Sequence, residues 1–501
     1  MSTPPVPRRA LLLLAPGHEL DRARPLWEPA GPDKFRCPGD TAFNDWLDAF
    51  VDLGVAFPFD EDQRLPRDLP DDLDGLRCIV IDPARRDEFT GGPAAERLAR
   101  FRAAGGRVFF PEPGPEFNSR QHDVYLPALQ LCVETALPRR DPGMTARLRA
   151  MEESRLMAWW RDSLDDQRRV LQSSDAGWAW GDPVGYHFYW PVFEAADWYR
   201  APALLDPAWE FMRAGLDRAL WKGPIACGKR FAAKYYDRTR DPGLLDRLRA
   251  EAGAVLPEIS GNPPPFALQA GGWVSNEVFA NCGESLGSIS RITGDPRYLE
   301  AAVALGHFTH RCCFDPAVSL WLHRGHLAGP CPDASAHWGR GNGWMLYGVR
   351  GVLEDLPDTH PARPDFIAML AAGLEGLLRT QGPHGLWHNV LTATEAASRQ
   401  DSCGAWMYIA VYARAYWKGW LRDERIPPMC ERAWLGLKTK LWRGLLLAQC
   451  CGTGCMPARK DYLLRAHTKF PGLPAMHAWV ELQRMRAATA SAPLASPAPF
   501  R

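Results

Sequence analysis

The run His337-Trp338-Gly339-Arg340-Gly341-Asn342-Gly343-Trp344 has the residue types of a site for a small anionic ligand. Arg340 offers a planar, permanently charged fork that matches a carboxylate. Trp338 and Trp344 offer apolar walls. Three glycines permit a tight turn and a close approach of backbone to ligand. The same residues also suit a glycine-rich loop whose arginine holds a neighbouring carboxylate, and their types alone leave both readings open. Two further groups have metal-ligating residue types: Cys312, Cys313, His323, His326, Cys331 and His337, then Cys450, Cys451 and Cys455. Neither has the paired C-x-x-C spacing of a zinc site, so buried, inert thiols are the expectation and no metal or organic cofactor is assigned. The first apolar run leads into Ala15-Pro16-Gly17-His18, not into G-x-G-x-x-G or a P-loop, and no G-x-S-x-G elbow occurs.

Composition narrows the partners. The 59 basic and 59 acidic side chains cancel, which argues against a general nucleic-acid or anionic-membrane binder. No apolar run approaches the ~18 residues of a spanning helix. Leu11–Ala15 follows Arg8 and Arg9 but is shorter than the ~7–15 residues of a signal core, so it reads as a buried strand. The 13 cysteines without an export signal favour reduced thiols and a cytoplasmic location. The 21 tryptophans suit either a large helical core or clefts that stack on sugar rings. Oligomeric state is not legible.

The elements that would position these residues fall into two parts. Residues 1–137 read as a smaller α/β domain, which resembles flavodoxin- or amidotransferase-like modules. Short apolar runs at Leu11–Leu14, Cys78–Ile81 and Val108–Phe110 alternate with helical patterns through Phe43, Trp46, Leu47, Phe50 and Val51, and through Leu98 and Phe101. Val55–Phe59 reads as extended chain. After a Pro/Gly-rich boundary at Pro138–Gly143, residues 145–485 read as mainly helical. Phe366, Met369, Leu370, Gly373, Leu374, Leu377 and Leu378 form one helical stripe, a core face. Residues 486–501 read as a disordered Ala/Ser/Pro-rich tail. Thr239-Arg240-Asp241-Pro242 and Thr293-Gly294-Asp295-Pro296 lie one hairpin length apart, each with Asp expected to cap and Pro at the first helical position. Six such hairpins in a ring would make an (α/α)6 barrel; a solenoid or an irregular helical domain fits the same repeat.

The segment Trp338–Trp344 resembles the signature of the unsaturated glucuronyl and rhamnogalacturonyl hydrolases, glycoside hydrolase families 88 and 105. Further segments of residues 200–485 resemble that family in the same order: Trp273–Asp295, Phe314–His323, Asp401–Met407 and Cys451–Gly454. The resemblance implies an (α/α)6 barrel and an oligosaccharide substrate with a 4,5-unsaturated uronic acid at its non-reducing end. It also implies catalysis without cofactor, in which a carboxylic acid protonates the vinyl ether, water adds at C5, and the hemiketal opens to release the sugar. A carboxyl with a raised pKa in an aromatic pocket suits that task.

Carried over residue by residue, Arg340 matches the arginine that grips the uronate, Trp344 an aromatic of the same site, and His323 an active-site histidine. The family's acid falls two residues after the tryptophan matched by Trp273, which here is Ser275, followed by Asn276. Anchoring on Thr293-Gly294-Asp295 moves it to Glu277 and brings Asn281 onto a family asparagine, one helical turn away on the same face. Glu277 is therefore the expected acid, with His323 assisting and with Trp273, Asn281, Trp338, Arg340, Trp344 and Trp190 binding substrate. A second family acid has no match in Lys222–Cys227; Asp182, beside Tyr186, His187, Tyr189 and Trp190, is an alternative source. The reading is thus a glycoside hydrolase of the unsaturated glycuronyl type. A non-catalytic acidic-sugar binder and an epimerase-like barrel enzyme stand as alternatives.

Overall fold

The computed structural model describes residues 9–13, 28–29, 35–36, 68–74, 76–110, 194–195, 197–198, 200, 228–261, 264–332, 335–393, 400–438, 441–442, 445–446 and 473–490. The chain divides into two compact units. The first comprises Met1–Asp166, Lys438–Cys451 and Leu464–Phe470; the second comprises Gln167–Leu437, Gly452–Leu463 and Pro471–Arg501.

In the first unit, strands β1 (Arg9–Leu13) and β3 (Arg107–Phe109) flank β2 (Leu76–Ile81), and both pairings are parallel. Parallel neighbours need a crossover, and helix α1 (Gly92–Ala103) lies between β2 and β3 in the chain. The alternating Leu11 and Leu13, with Ile79 and Ile81, form one core with Leu98 and Phe101 of α1. The helix expected through Phe43–Val51 and the extended chain at Val55–Phe59 lie outside the described residues.

The second unit is mainly helical. Helices α2 (Gly228–Thr239), α3 (Pro242–Ile259), α4 (Asn276–Thr293), α5 (Arg297–Cys313), α6 (Gly339–Asp355), α7 (Arg363–Thr380), α8 (Ser402–Trp417), α9 (Ile426–Lys438) and α10 (Leu473–Thr489) follow one another. Alternate helices are side-by-side neighbours, in the series α2, α4, α6, α8, α10, and α3, α5 and α7 pack against members of that series. The sequence explains this layering. In α8, Ser402 to Ala415 are all buried, as in a helix enclosed on every side, and α6 is nearly as enclosed. In α7 the buried residues are those of the expected stripe from Phe366 to Leu377 together with Gly376, and Leu378 at the edge is half-buried.

The two T-x-D-P segments are the same turn. Thr239 and Thr293 each donate to the carbonyl four residues back and accept from the following aspartate's N–H. Arg240 (φ 53°) and Gly294 (φ 74°) occupy the same left-handed position. Asp241 caps α3 as expected, accepting from the N–H groups of Gly243 and Leu244. The second copy differs: Pro296 takes the cap position, α5 begins at Arg297, and Asp295 pairs with that residue's guanidinium while accepting its N–H. At the C-terminus α10 continues to Thr489, into the stretch read as a disordered tail, because Arg486 is clamped by the Glu431 carboxylate.

Short strands gather where helices begin. β4 (Leu268–Gln269), β5 (Trp273–Ser275) and β8 (Arg324–His326) form an antiparallel sheet in the order β8-β5-β4, and β5 runs directly into α4. β6 (Phe314–Asp315) pairs with β7 (Leu320–Trp321), and β9 (Trp387–His388) with β10 (Gln400–Asp401), which runs into α8. Near the opposite ends of α6 and α8 the interior is ionic. Arg414 contacts Glu354 and Glu481, Arg484 contacts Glu481 and Glu194, and all but Glu354 are buried.

Candidate active site

The site is built where α4 and α6 start. Across β5 and β8, Trp273 faces His326, Val274 faces Gly325, and Ser275 faces Arg324. The inner face is closed: Val274 is fully buried, and a Cβ on Gly325 would lie 1.8 Å from the Cys312 carbonyl oxygen, so only glycine fits. Trp273 and His326 therefore share the outer face, in edge contact at 5.5 Å, and both are half-buried. Ser275, in the register of the family's acid, is buried and caps α4 by accepting from the Glu277 N–H.

Glu277, in the first turn of α4, reaches His323 across 46 residues of sequence, with Oε2 3.3 Å from Nε2. The His323 side chain is 5 % exposed and that of Glu277 41 %, so the histidine is fixed in the interior and the carboxylate reaches solvent. The edge of the His323 ring meets the Trp338 ring at 4.9 Å, and the Arg340 guanidinium lies 4.5 Å from the centre of that same ring. Trp338 is held in turn by donating Nε1–H to Asn389 Oδ1. Glu277, His323, Trp338 and Arg340 thus form one contiguous group.

Its electrostatics depart from the sequence reading. Burial raises the Glu277 pKa. The hydrogen bond from His323 and the charges of His323, Arg340 and Arg324 lower it and prevail, so the carboxyl lies below its ordinary value. Without ligand Glu277 is ionised at neutral pH. The expected raised pKa is absent because cations, and not apolar walls alone, surround the group.

The glycine-rich segment is not a loop. Gly339 to Gly343 form the first turn of α6. A Cβ on Gly341 would lie 2.8 Å from the Trp338 ring and 3.2 Å from Asn276 Nδ2, and one on Gly343 would lie 2.6 Å from Met407 Sδ. These glycines let neighbouring elements close on the start of α6. A cation in a first helical turn opposes the helix dipole, so Arg340 is not placed there for helix stability, whereas an anion at that position is favoured.

The remaining candidates separate. Trp344 is half-buried, edge-on to Tyr347 and packed beside Trp338 and Val390. Trp338 is only 1 % exposed, so it supports His323 and Arg340 from behind and does not itself form an open wall. Asn281 lies on α4 one turn beyond Glu277. Trp190, Asp182, Tyr186, His187, Tyr189, Lys222–Cys227 and Cys451–Gly454 lie outside the described residues. Cys312 and Cys313 are buried free thiols whose pKa values burial pushes up. Among the described residues no three His, Cys, Asp or Glu converge as a metal site.

Several residues beside the site were given no binding or catalytic role in the sequence reading. His337 contacts Asp315 Oδ2 through Nε2 at 3.1 Å and Thr392 through Nδ1 at 3.3 Å; burial lowers its pKa despite Asp315, so it is a neutral brace beside Trp338. Asp401 caps α8 from a buried position. Asn276 and Asn342 are fully buried between the elements that carry Glu277, His323 and Arg340. Asn342 stands inside the motif, and its polarity among glycines and tryptophans was the available signal.

The family model described as Glycosyl Hydrolase Family 88 matches residues 283–485. An unsaturated 3S-rhamnoglycuronyl hydrolase of Alteromonas sp. (strain LOR) is 25% identical over 148 residues, 29% of this chain and 36% of that protein. The unsaturated rhamnogalacturonyl hydrolase YesR of Bacillus subtilis (strain 168) is 29% identical over 109 residues, 21% of this chain and 30% of that protein. The chain thus spans about a third of the length of these relatives. A possible member of the GH105 family from Klebsiella pneumoniae superposes with a TM-score of 0.54 at 20% identity, over 67% of this chain and 94% of that one. A family 105 glycoside hydrolase of C. acetobutylicum gives 0.52 at 16% identity, over 66% and 99%. The structural likeness concerns fold: the mainly helical part of the chain is like these GH105 structures, whose family fold is an (α/α)6 barrel.

Proposed function

We propose that the protein is a glycoside hydrolase that removes a 4,5-unsaturated uronyl residue from small acidic oligosaccharides left by polysaccharide lyases. The observation that carries this reading is the single group made by Glu277, His323, Trp338 and Arg340, an acid–histidine pair set beside a stacked arginine. Support comes also from the hydrolase relatives and the family match to residues 283–485.

In this reading Arg340 takes the uronate carboxylate at the start of α6, and Trp273 and Trp344 flank the sugar. Asn281 and Trp190 add contacts. Binding brings a negative charge beside Arg340 and displaces water from Glu277. Both effects raise the Glu277 pKa, so the group gains its proton as substrate arrives. Glu277 then delivers that proton to C4 of the vinyl ether. A water oxygen bonds to C5 and returns a proton to Glu277, with His323 holding the carboxylate in place. The C5 hemiketal opens to a ketone, and the hemiacetal left at C1 releases the sugar. This is hydration followed by collapse, not displacement between two carboxylates.

The described helices are then part of a six-hairpin (α/α)6 barrel, and the parallel strands of the first unit belong to a separate α/β domain. A cytoplasmic location suits Cys312, Cys313, Cys331, Cys403 and Cys430, which are free thiols. Ser275 in the family's acid register favours a second reading, a binder that keeps Arg340 but lacks turnover. The test is the ultraviolet absorbance of the unsaturated uronate, followed with lyase-generated disaccharides from pectin, hyaluronan, alginate and ulvan. Loss of absorbance supports hydrolysis; binding without loss on any of them leaves the binder.

A further inference from the structure

Asn342 is fully buried, so it touches no ligand. Its amide is nevertheless almost fully used. Oδ1 accepts from the Trp321 N–H at 2.8 Å, and Nδ2 donates to the carbonyls of Trp321 at 2.7 Å and Trp338 at 2.9 Å. Both backbone polar groups of Trp321 are therefore held by one side chain of α6. His323 lies two residues further along the chain, just past the end of β7. The intervening groups are held as well: Leu322 donates to the Cys313 carbonyl, the Leu322 carbonyl accepts from Asn276 Nδ2 at 3.1 Å, and the His323 carbonyl accepts from the Asn276 N–H at 3.1 Å. Two buried asparagines thus grip successive residues of one segment, Trp321 to His323. Asn276 directly precedes Glu277 on α4, and Asn342 stands two residues after Arg340 on α6. The three functional side chains come from three elements, and these amides are joints between them.

We propose that Asn342 is a positioning residue, which sets His323 against Glu277 and Arg340 by fixing the backbone of Trp321; this rests on the hydrolase reading of the site. An amide that merely satisfied buried backbone groups would contribute to stability alone. One that positions His323 controls the 3.3 Å contact to Glu277, and a displacement near 1 Å can cost about 10²-fold in rate.

The experiment compares Asn342→Ala with Leu374→Ala, a buried core substitution on α7, each assayed at a temperature where it is folded. Asn342→Ala is expected to lower kcat by about 10- to 100-fold with KM within about threefold, because Arg340 stays in place. The ionisation of Glu277 seen in the kcat/KM profile moves up toward the ordinary carboxylate range as the His323 contact loosens. Leu374→Ala loses stability and keeps both kinetic features. Should Asn342→Ala fail to fold, Asn342→Ser, which retains one hydroxyl for Trp321, is expected to show the same split in smaller degree. If Asn342→Ala loses stability but keeps kcat and pH profile, as Leu374→Ala does, the positioning role is overturned. If wild-type protein hydrolyses none of the disaccharides, the hydrolase reading has failed, and a carbon-13 NMR titration of the Glu277 carboxyl still decides. A midpoint raised by Asn342→Ala or Asn342→Ser supports positioning, and an unmoved midpoint in a folded variant removes it.

Discussion

Glu277 Oε2 lies 3.3 Å from His323 Nε2, and each partner comes from an element with its own tether. The carboxylate sits in the first turn of α4, where the helix dipole favours a negative charge. The histidine sits in the interior beside it. This arrangement keeps the Glu277 carboxyl below its ordinary pKa. Substitution of Glu277 by Gln keeps the shape and removes the transferable proton. The absorbance assay is expected to show kcat reduced by roughly 10²- to 10⁴-fold, with KM changed only a few-fold. Full activity in this variant would move the acid to another residue.

The same contact predicts how acid affects stability. The folded pKa of Glu277 is lowered from 4.5 because burial, which raises it, is outweighed by the hydrogen bond from His323 and the charges of His323, Arg340 and Arg324. A group depressed in the folded state contributes stability that is complete above its unfolded pKa and is lost as pH falls through the folded value. Melting curves of wild type and Glu277→Gln should therefore diverge above the ordinary carboxylate range and converge below it. The Glu277 side chain is 41 % exposed, so water screens the pair and the effect is small. A difference that grows toward acid would contradict the assignment.

Arg340 and Trp338 should not tolerate conservative exchange equally. Arg340→Lys keeps the charge but loses the planar fork and the stacked contact at 4.5 Å. We expect KM to rise by about tenfold or more while kcat falls less, read from initial rates over substrate concentration. Trp338→Phe keeps a ring under the guanidinium and loses the bond to Asn389, about 1 kcal/mol by chemical denaturation. A larger effect on KM from the buried Trp338 than from Arg340 would place the ligand elsewhere.

Gly325 shows how the site depends on packing behind it. An added Cβ would meet backbone, the Cys312 carbonyl oxygen at 1.8 Å and its carbon at 2.3 Å, with no flexible side chain to yield. Gly325→Ala should destabilise by about 1–3 kcal/mol or more and displace β8, which follows His323 directly. Chemical denaturation measures the first effect and kcat of the folded fraction the second. An alanine variant of wild-type stability and rate would require the sheet to sit further from α5.

How much of this was legible follows from what fixes each feature. The T-x-D-P turns could be read because cap, threonine and left-handed residue act within a few positions of chain. The α7 stripe could be read because helical spacing reports one buried face. Glu277 was reached only by choosing between two registers, and its partnership with His323 depends on strands meeting across 46 residues. The glycines around Arg340 carry opposite meanings in a loop and in a crowded helix start, and only the neighbours Asn276, Trp338 and Met407 decide between them. Trp338 was read as a wall because composition cannot tell which face of a tryptophan is covered. Asn342 offered only its polarity inside the motif, and Asn276 no local signature, since the Leu322 and Trp321 backbone groups they hold are distant in sequence.

The ionic interior at the far ends of α6 and α8 separates stability from catalysis. Glu481 is fully buried and receives hydrogen bonds from Arg414 at 2.7 Å, Arg484 at 2.9 Å and Trp417 at 2.7 Å. Its carboxylate balances two guanidinium groups that also contact Glu194, whose pKa is lowered because Arg414 and Arg484 overcome the opposing effect of burial. Glu481→Gln keeps the volume and leaves excess positive charge buried, which typically costs about 3–5 kcal/mol. Arg414, Arg484 and Glu481 show no contact with Glu277, His323 or Arg340 among the described residues. The expected outcome is a large fall in denaturation midpoint with kcat and KM per folded molecule unchanged at a permissive temperature. A changed KM at full folding would instead mean that the ionic interior and the Arg340 end of α6 are mechanically coupled along that helix.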